Sequence, residues 1–141
     1  DCLRGRYHID NVKVVHDDGQ PLDVMVDRGQ VEGGVVQGLG WMTLEEVLFD
    51  ESGRLLTDNL TAYKIPDIHF APDIDVHFLE SAMNPPGLMH SKAVGEPPLT
   101  YGLAVYFALS KAIQAFNPDW QLDFRAPMTS EKVLLALYSS K

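Results

Sequence analysis

The stretch Ser91–Leu99, S-K-A-V-G-E-P-P-L, sets one carboxylate between a glycine and two prolines. A glutamate held at a defined point can take a proton from a nearby hydroxyl or water, provided it lies within hydrogen-bond reach. The local sequence supplies the holding. Pro97 disfavours the α region for Glu96 and biases it toward extended backbone. Pro97 and Pro98 have restricted φ and no N–H to donate, and Gly95 permits a sharp bend or a close approach to the main chain. The pattern predicts a carboxylate on a stiff, non-helical ledge. A solvated loop glutamate is the plainer reading of the same residues. Lys92 fits an ion pair with Glu96 or a contact to a ligand, the ion pair being the default.

Spacing excludes several other chemistries. His8, His16, His69, His77 and His90 show neither H-E-x-x-H nor H-x-x-x-H spacing, and with one cysteine no standard zinc site can be assembled. His8, His16 and His77 fall on strand-like stretches and read as packed or surface residues. Cys2 alone allows no internal disulfide and no cysteine-held iron–sulfur cluster within this chain. There is no G-x-S-x-G elbow, and Cys2 near a chain end is a poor nucleophile candidate. The glycines between Gly29 and Gly40 do not make a phosphate loop. A Rossmann spacing from Gly38 needs glycine at Thr43, and a P-loop from Gly29 needs lysine at Val35.

The elements that must position the ledge can be read from periodicity. Tyr7–His16 is rich in β-formers and predicts a strand, its alternation slipping near Asn11. Asp17-Asp18-Gly19 supplies turn chemistry. Asp23 or Asp27 caps a helix that runs to about Met42, with Val31, Val35, Leu39 and Met42 as its apolar line. Interior glycines at 33, 34, 38 and 40 cost such a helix roughly 1 kcal/mol each relative to alanine. Very close packing explains that composition, against a neighbouring element or against a bound cofactor. Thr43–Thr57 predicts a hairpin turning at Asp50–Gly53. Thr61–Pro66 reads as extended and Ile74–Leu79 as a buried strand. A long connection, 81–99, precedes a helix over Tyr101–Phe116 that Pro118 stops. Leu122–Phe124 reads as a short strand, and Thr129 caps a last helix to about Tyr138. The expected fold is α+β: a mixed or antiparallel sheet with two or three helices packed on one face.

Composition narrows the partners. The chain has 141 residues, 45% of them hydrophobic, enough for one core of useful size. Its net charge of −9 argues against nucleic acid and against an anionic membrane surface. No apolar run reaches the ~18 residues of a membrane span, and no leader pattern stands out. A cytoplasmic, reducing location is the expectation. The chain opens at Asp1 without methionine, which suggests a fragment, a processed chain or a trimmed one.

Three ordered motifs then resemble one family. Ser91-Lys92 followed by A-V-G-E-P-P-L resembles the active-site loop of the molybdenum-binding subunit of xanthine dehydrogenases and related molybdenum hydroxylases. D-x-G-Q-V-E-G-G-x-x-Q-G-L-G (Asp27–Gly40), continued by T-L-E-E (Thr43–Glu46), is a second match, and Y-K-I-P (Tyr63–Pro66) a third. The resemblance runs from about Val15 to the last helix, and the paired prolines look closer to the purine-oxidising branch than to aldehyde oxidases. It implies that residues 1–141 are one C-terminal segment of a molybdenum-cofactor-binding domain. It implies that Glu96 is the general base, taking a proton from a molybdenum-bound hydroxide that attacks an electrophilic carbon of xanthine, hypoxanthine or a related heteroaromatic. Gln30 matches a residue that hydrogen-bonds the pterin, and its amide offers both donor and acceptor. Lys92, Ala93, Val94 and Gly95 match main chain lying against the cofactor.

The same resemblance implies what is missing. The family's subunit is several-fold longer, so the remainder of the molybdenum-binding subunit and the iron–sulfur and flavin (FAD) parts are the expected partners. No cofactor is expected on the isolated chain, which is expected to be inactive alone, and its end after Tyr138 matches a subunit end. A piece of a larger domain exposes apolar surface, so self-association or a partner chain is expected. A folded, non-catalytic scaffold that binds no metal is the competing reading. A plain α+β binding domain for another ligand is a third, and it gains ground if Gln30 and Glu96 lie far apart or on opposite surfaces.

Overall fold

The computed structural model describes residues 1–80 and 86–139. Strand β1 (Asn11–His16) leads into the long helix α1 (Val24–Thr43), and strand β2 (Asp73–Phe78) follows after an irregular segment. A 3-10 turn (Pro97–Gly102) runs directly into α2 (Leu103–Phe116), and α3 (Ser130–Tyr138) comes last.

The strands pair in parallel, from Asn11 opposite Asp73 to His16 opposite Phe78. The α+β class is as expected. The sheet inside it consists, among the described residues, of two parallel strands rather than a mixed or antiparallel set. The reason lies in the connection: parallel strands need a crossover of a dozen or more residues, and α1 sits between them in sequence. Val14, His16 and Val76 are buried while Val15 and His77 are exposed, so one face of the sheet carries the core. β1 begins at Asn11, where the alternation slips, and not at Tyr7. The hairpin at 43–57 is reduced to a single antiparallel bridge between Phe49 and Leu55. Leu122–Phe124 is not a strand, and Phe124 takes a positive φ of 56°. Of the connection 81–99, residues 81–85, including Met83 and Pro85, lie outside the described residues.

Helix α1 organises the core. Asp23 caps it, its side chain accepting from the N–H groups of Met25 (3.0 Å) and Val26 (3.1 Å). Asp27 reaches back to the N–H of Leu22 at 3.1 Å. Val31, Val35 and Leu39 are fully enclosed by Val14, Val76, Val105, Leu109 and Ile113, with Met128, Val133 and Leu137 completing the cluster. Arg28 ties the helix to β2 by donating to the Val76 carbonyl at 2.9 Å. Thr129 caps α3 as expected, accepting from the N–H of Lys132.

The glycines of α1 divide into two sets. A Cβ on Gly34 would lie 2.8 Å from Cβ of Pro98, and one on Gly38 would overlap the carbonyl of Leu99. Gly102 is pressed in turn against the main chain of Gly38. Gly40 is covered by Pro66. These positions serve packing. Gly29 and Gly33 are different: a Cβ there would meet nothing within 4 Å. Gly33→Ala should therefore stabilise the chain by about 1 kcal/mol through helix propensity. Gly38→Ala should destabilise it by about 2 kcal/mol or more, because backbone must move to admit the methyl. Chemical denaturation of the two variants checks the opposite signs.

Candidate functional site

Glu96 stands at the head of the 3-10 turn, with Pro97 and Pro98 in its first two positions. Its backbone is αR (φ −85°, ψ −40°) and not extended. The bias that proline imposes on the preceding residue is overridden by two gains. The Leu99 N–H donates to the Glu96 carbonyl at 3.1 Å, and proline suits a first helical position where no N–H is needed. The ledge is still stiff, because Pro98 is buried against Gly34. The Glu96 side chain is exposed, so Val94 and Leu99 do not by themselves wall it off from water.

The close contact between α1 and the 3-10 turn carries Gln30 to the same place. Gln30 is exposed on α1, and a Cβ on Gly95 would lie 3.7 Å from its Oε1. Gln30 and the Gly95–Glu96 step thus share one surface, so the plain binding-domain reading gains nothing from their placement. Gly29 and Gly33, four residues apart beside Gln30, give one line of α1 two open positions without a side chain. An amide that donates and accepts, a bare strip of helix and a carboxylate on the adjoining ledge form a shallow polar platform. Ala93 and Gly95 are exposed beside it and Val94 is half-buried.

Lys92 does not pair with Glu96. Its ammonium meets the Asp17 carboxylate at 2.5 Å, and its N–H donates to the carbonyl of Asp18 at 2.8 Å. The Y-K-I-P segment is likewise structural: Tyr63 donates to Glu45, and Pro66 packs on Gly40. The residues that sequence reasoning misses lie in the D-D-G turn, which reads as turn chemistry alone. Asp17 and Asp18 are neighbours with opposite electrostatics. The hydrogen bond from Lys92 holds the Asp17 carboxyl below its ordinary range. Burial pushes Asp18 up, and the nearby Asp27 charge adds to it. Asp18 is 1% exposed and neither of its carboxylate oxygens has a partner among the described residues.

Comparison with known proteins places the chain that carries this platform in a family. Residues 1–72 match the family model described as a molybdopterin cofactor-binding domain. A xanthine dehydrogenase of Dictyostelium discoideum is 41% identical over 138 residues, covering 94% of this chain and 10% of that protein. One from Oryza sativa subsp. japonica is 37% identical over 153 residues, covering 99% of this chain and 11% of that protein. Among solved structures, quinoline 2-oxidoreductase from Pseudomonas putida 86 superposes with a TM-score of 0.83 at 29% identity, covering 92% of this chain and 16% of that one. The chain belongs to the molybdopterin cofactor-binding domain family. It spans about a tenth of the length of the curated relatives it matches. The residues present fit such a group: the open positions at Gly29 and Gly33 leave room for a flat ring system, and the exposed Gln30 amide offers it a donor and an acceptor.

The opposite shifts of the two aspartates give stability a readable pH dependence. Asp18, raised in the folded chain, binds its proton more tightly folded than unfolded, so its contribution to stability is fully present below about pH 4 and is lost as pH rises through the folded value. An asparagine side chain at the same position would be neutral throughout. Asp18→Asn should therefore raise Tm near pH 7, with the gain shrinking toward pH 4. A gain that is flat with pH counts against the burial of this carboxyl. Asp17, lowered, acts in the other direction: its contribution is present above about pH 4 and is lost as pH falls through the folded value.

Proposed function

We propose that this chain is the terminal part of a molybdenum hydroxylase of the xanthine dehydrogenase kind, in which Glu96 is the general base. Gln30 and the main chain of Lys92–Gly95 line the pterin. The observation that carries the reading is the convergence of Gln30 with the Gly95–Glu96 step, enforced by the glycine contact between α1 and the 3-10 turn. When bound, the molybdenum cofactor supplies the two-electron acceptor and activates the oxygen that is inserted into substrate.

The chain's own residues orient and deprotonate. Glu96 accepts a proton at a carboxylate oxygen, and the buried Pro98 and the closed Glu96–Leu99 turn limit where that oxygen can travel. Gln30 presents donor and acceptor to a ring edge. The substrate proposed is a purine such as xanthine or hypoxanthine, or a related heteroaromatic. Relatives named xanthine dehydrogenase and a neighbour named for quinoline oxidation support that class.

The partners proposed are the remainder of the molybdenum-binding subunit and the iron–sulfur and flavin parts, in the cytoplasm. Support comes from the share of its relatives that the chain spans and from its exposed apolar side chains. Met25 is 85% exposed and Phe107 51%, on helices whose other faces are packed. Alone, the chain is proposed to hold no metal and to be inactive, since it carries the base without the segments that enclose it.

In the full-length enzyme, Glu96→Gln should lower kcat by a factor on the order of 10³ or more with molybdenum content unchanged. Metal analysis alongside single-turnover assays reads both quantities. Turnover retained would remove Glu96 as the base, and loss of molybdenum would make its role structural. Gln30→Ala should do the reverse, lowering pterin retention while leaving turnover per bound molybdenum within a few-fold.

A further inference from the structure

We infer that the end of β1 and the turn after it, His16–Gln20, form a splint that sets the position of Glu96 by gripping its loop on both sides, with His16 and Asp17 as positioning residues. The inference rests on the assignment of Glu96 as the base.

The grip before Glu96 has several parts. Asp17 pairs with the Lys92 ammonium at 2.5 Å. The Lys92 N–H donates to the carbonyl of Asp18 at 2.8 Å, and the Gln20 N–H to that of His90 at 2.9 Å. Gly19 forms an antiparallel bridge with Ser91. The grip after Glu96 is a single side-chain bond. His16 Nδ1 and the Tyr101 hydroxyl share a hydrogen bond of 2.7 Å, and their rings meet edge to face with centroids 5.8 Å apart. Tyr101 belongs to the 3-10 turn that Glu96 opens. One short turn therefore holds the loop at Lys92 and again at Tyr101, with the carboxylate between.

The contact between the two segments is built at a cost. Met89 and His90 take left-handed backbone, with φ of 52° and 60°, immediately before the gripped residues. Gly19 has a φ of +69°, and a Cβ on it would overlap the His90 carbonyl, so that approach is closed to other residues. His16 is 3% exposed with Nε2 lacking a partner among the described residues, and Asp18 is buried beside it with both carboxylate oxygens in the same state. Apolar side chains at 16 and 18 would avoid burying unpaired polar atoms. Strain and buried polarity of this kind concentrate where geometry serves a site.

The test uses the full-length enzyme with five variants: Tyr101→Phe, Asp17→Asn, His16→Leu, His16→Asn and the double His16→Leu/Tyr101→Phe. Two quantities are read: kcat per bound molybdenum and hydrogen exchange of the 91–99 peptide, with KM and molybdenum content measured beside them. Tyr101→Phe and Asp17→Asn should each lower kcat per molybdenum about tenfold with KM within about twofold, since small misplacements of a reacting group are costly. Exchange across 91–99 should rise in both. His16→Asn, which keeps a polar atom near the Nδ1 position, should recover most of the rate that His16→Leu loses. The His16→Leu/Tyr101→Phe double variant should be no slower than the slower single one, as expected for partners in one bond. A lower Tm with kcat per molybdenum and exchange both unchanged overturns the inference, because the turn would then be structural only. If Glu96→Gln keeps turnover, the base assignment falls separately, and the exchange rates alone decide whether the splint holds the loop.

Discussion

The arrangement depends on one contact between two stretches of main chain. Where α1 crosses the 3-10 turn, Gly34 meets Pro98 and the main chain of Leu99, and Gly38 meets the main chain of Leu99 and Gly102. Elsewhere helices meet through side chains that set their axes about 8–10 Å apart. Here the missing Cβ atoms let backbone touch backbone, and the distance saved carries Gln30 to Gly95. Each glycine weakens α1 in isolation by roughly 1 kcal/mol. The helix tolerates it because the adjoining line of the same side buries Val31, Val35 and Leu39 completely and its first turn is capped by Asp23.

The same economy appears in the turn after β1, where two adjacent carboxylates live in different media. Asp17 faces Lys92 near solvent and is favoured as a charge. Asp18, one residue on, is enclosed and disfavoured as one. Strand alternation is the cause: His16 and Asp18 continue the inward-facing positions of β1 past its end, while Asp17 faces outward. A loop usually escapes that alternation. This one keeps it for two residues because Gly19 and Ser91 bridge like strands.

Much of this is legible in the residues, and what is not has definable causes. The caps at Asp23 and Thr129, the apolar line of α1 and the stop at Pro118 follow from local rules, and the structure obeys them. The surplus of glycine in α1 points to close approach, but periodicity cannot say which glycines face a neighbour, because that depends on where a later segment of the chain returns. Glu96 departs from its expected backbone for a related reason. The residue before proline avoids the α region on average, yet here a following 3-10 turn outweighs the bias. The parallel pairing of β1 and β2 is a property of the crossover and is not encoded in either strand. Lys92 reads as a partner for Glu96 because the two are close in sequence. Its true partner, Asp17, is far away in sequence and brought near by that crossover.

What the chain leaves open is as informative as what it holds. Glu96, Gln30 and the glycine strip are exposed, while the atoms behind them are rigid and tightly enclosed. A base needs a fixed position and a local environment that excludes competing water, and these are separable requirements. Position is met here by local means: a proline-led turn, a glycine contact and hydrogen bonds from a neighbouring strand end. Exclusion of water needs a second wall, and Glu96 and Gln30 stand exposed here. On the proposed assignment that wall belongs to the nine-tenths of the relatives' length beyond this segment. A carboxylate held in advance and covered only on assembly would do no chemistry until the cofactor and the rest of the pocket were in place.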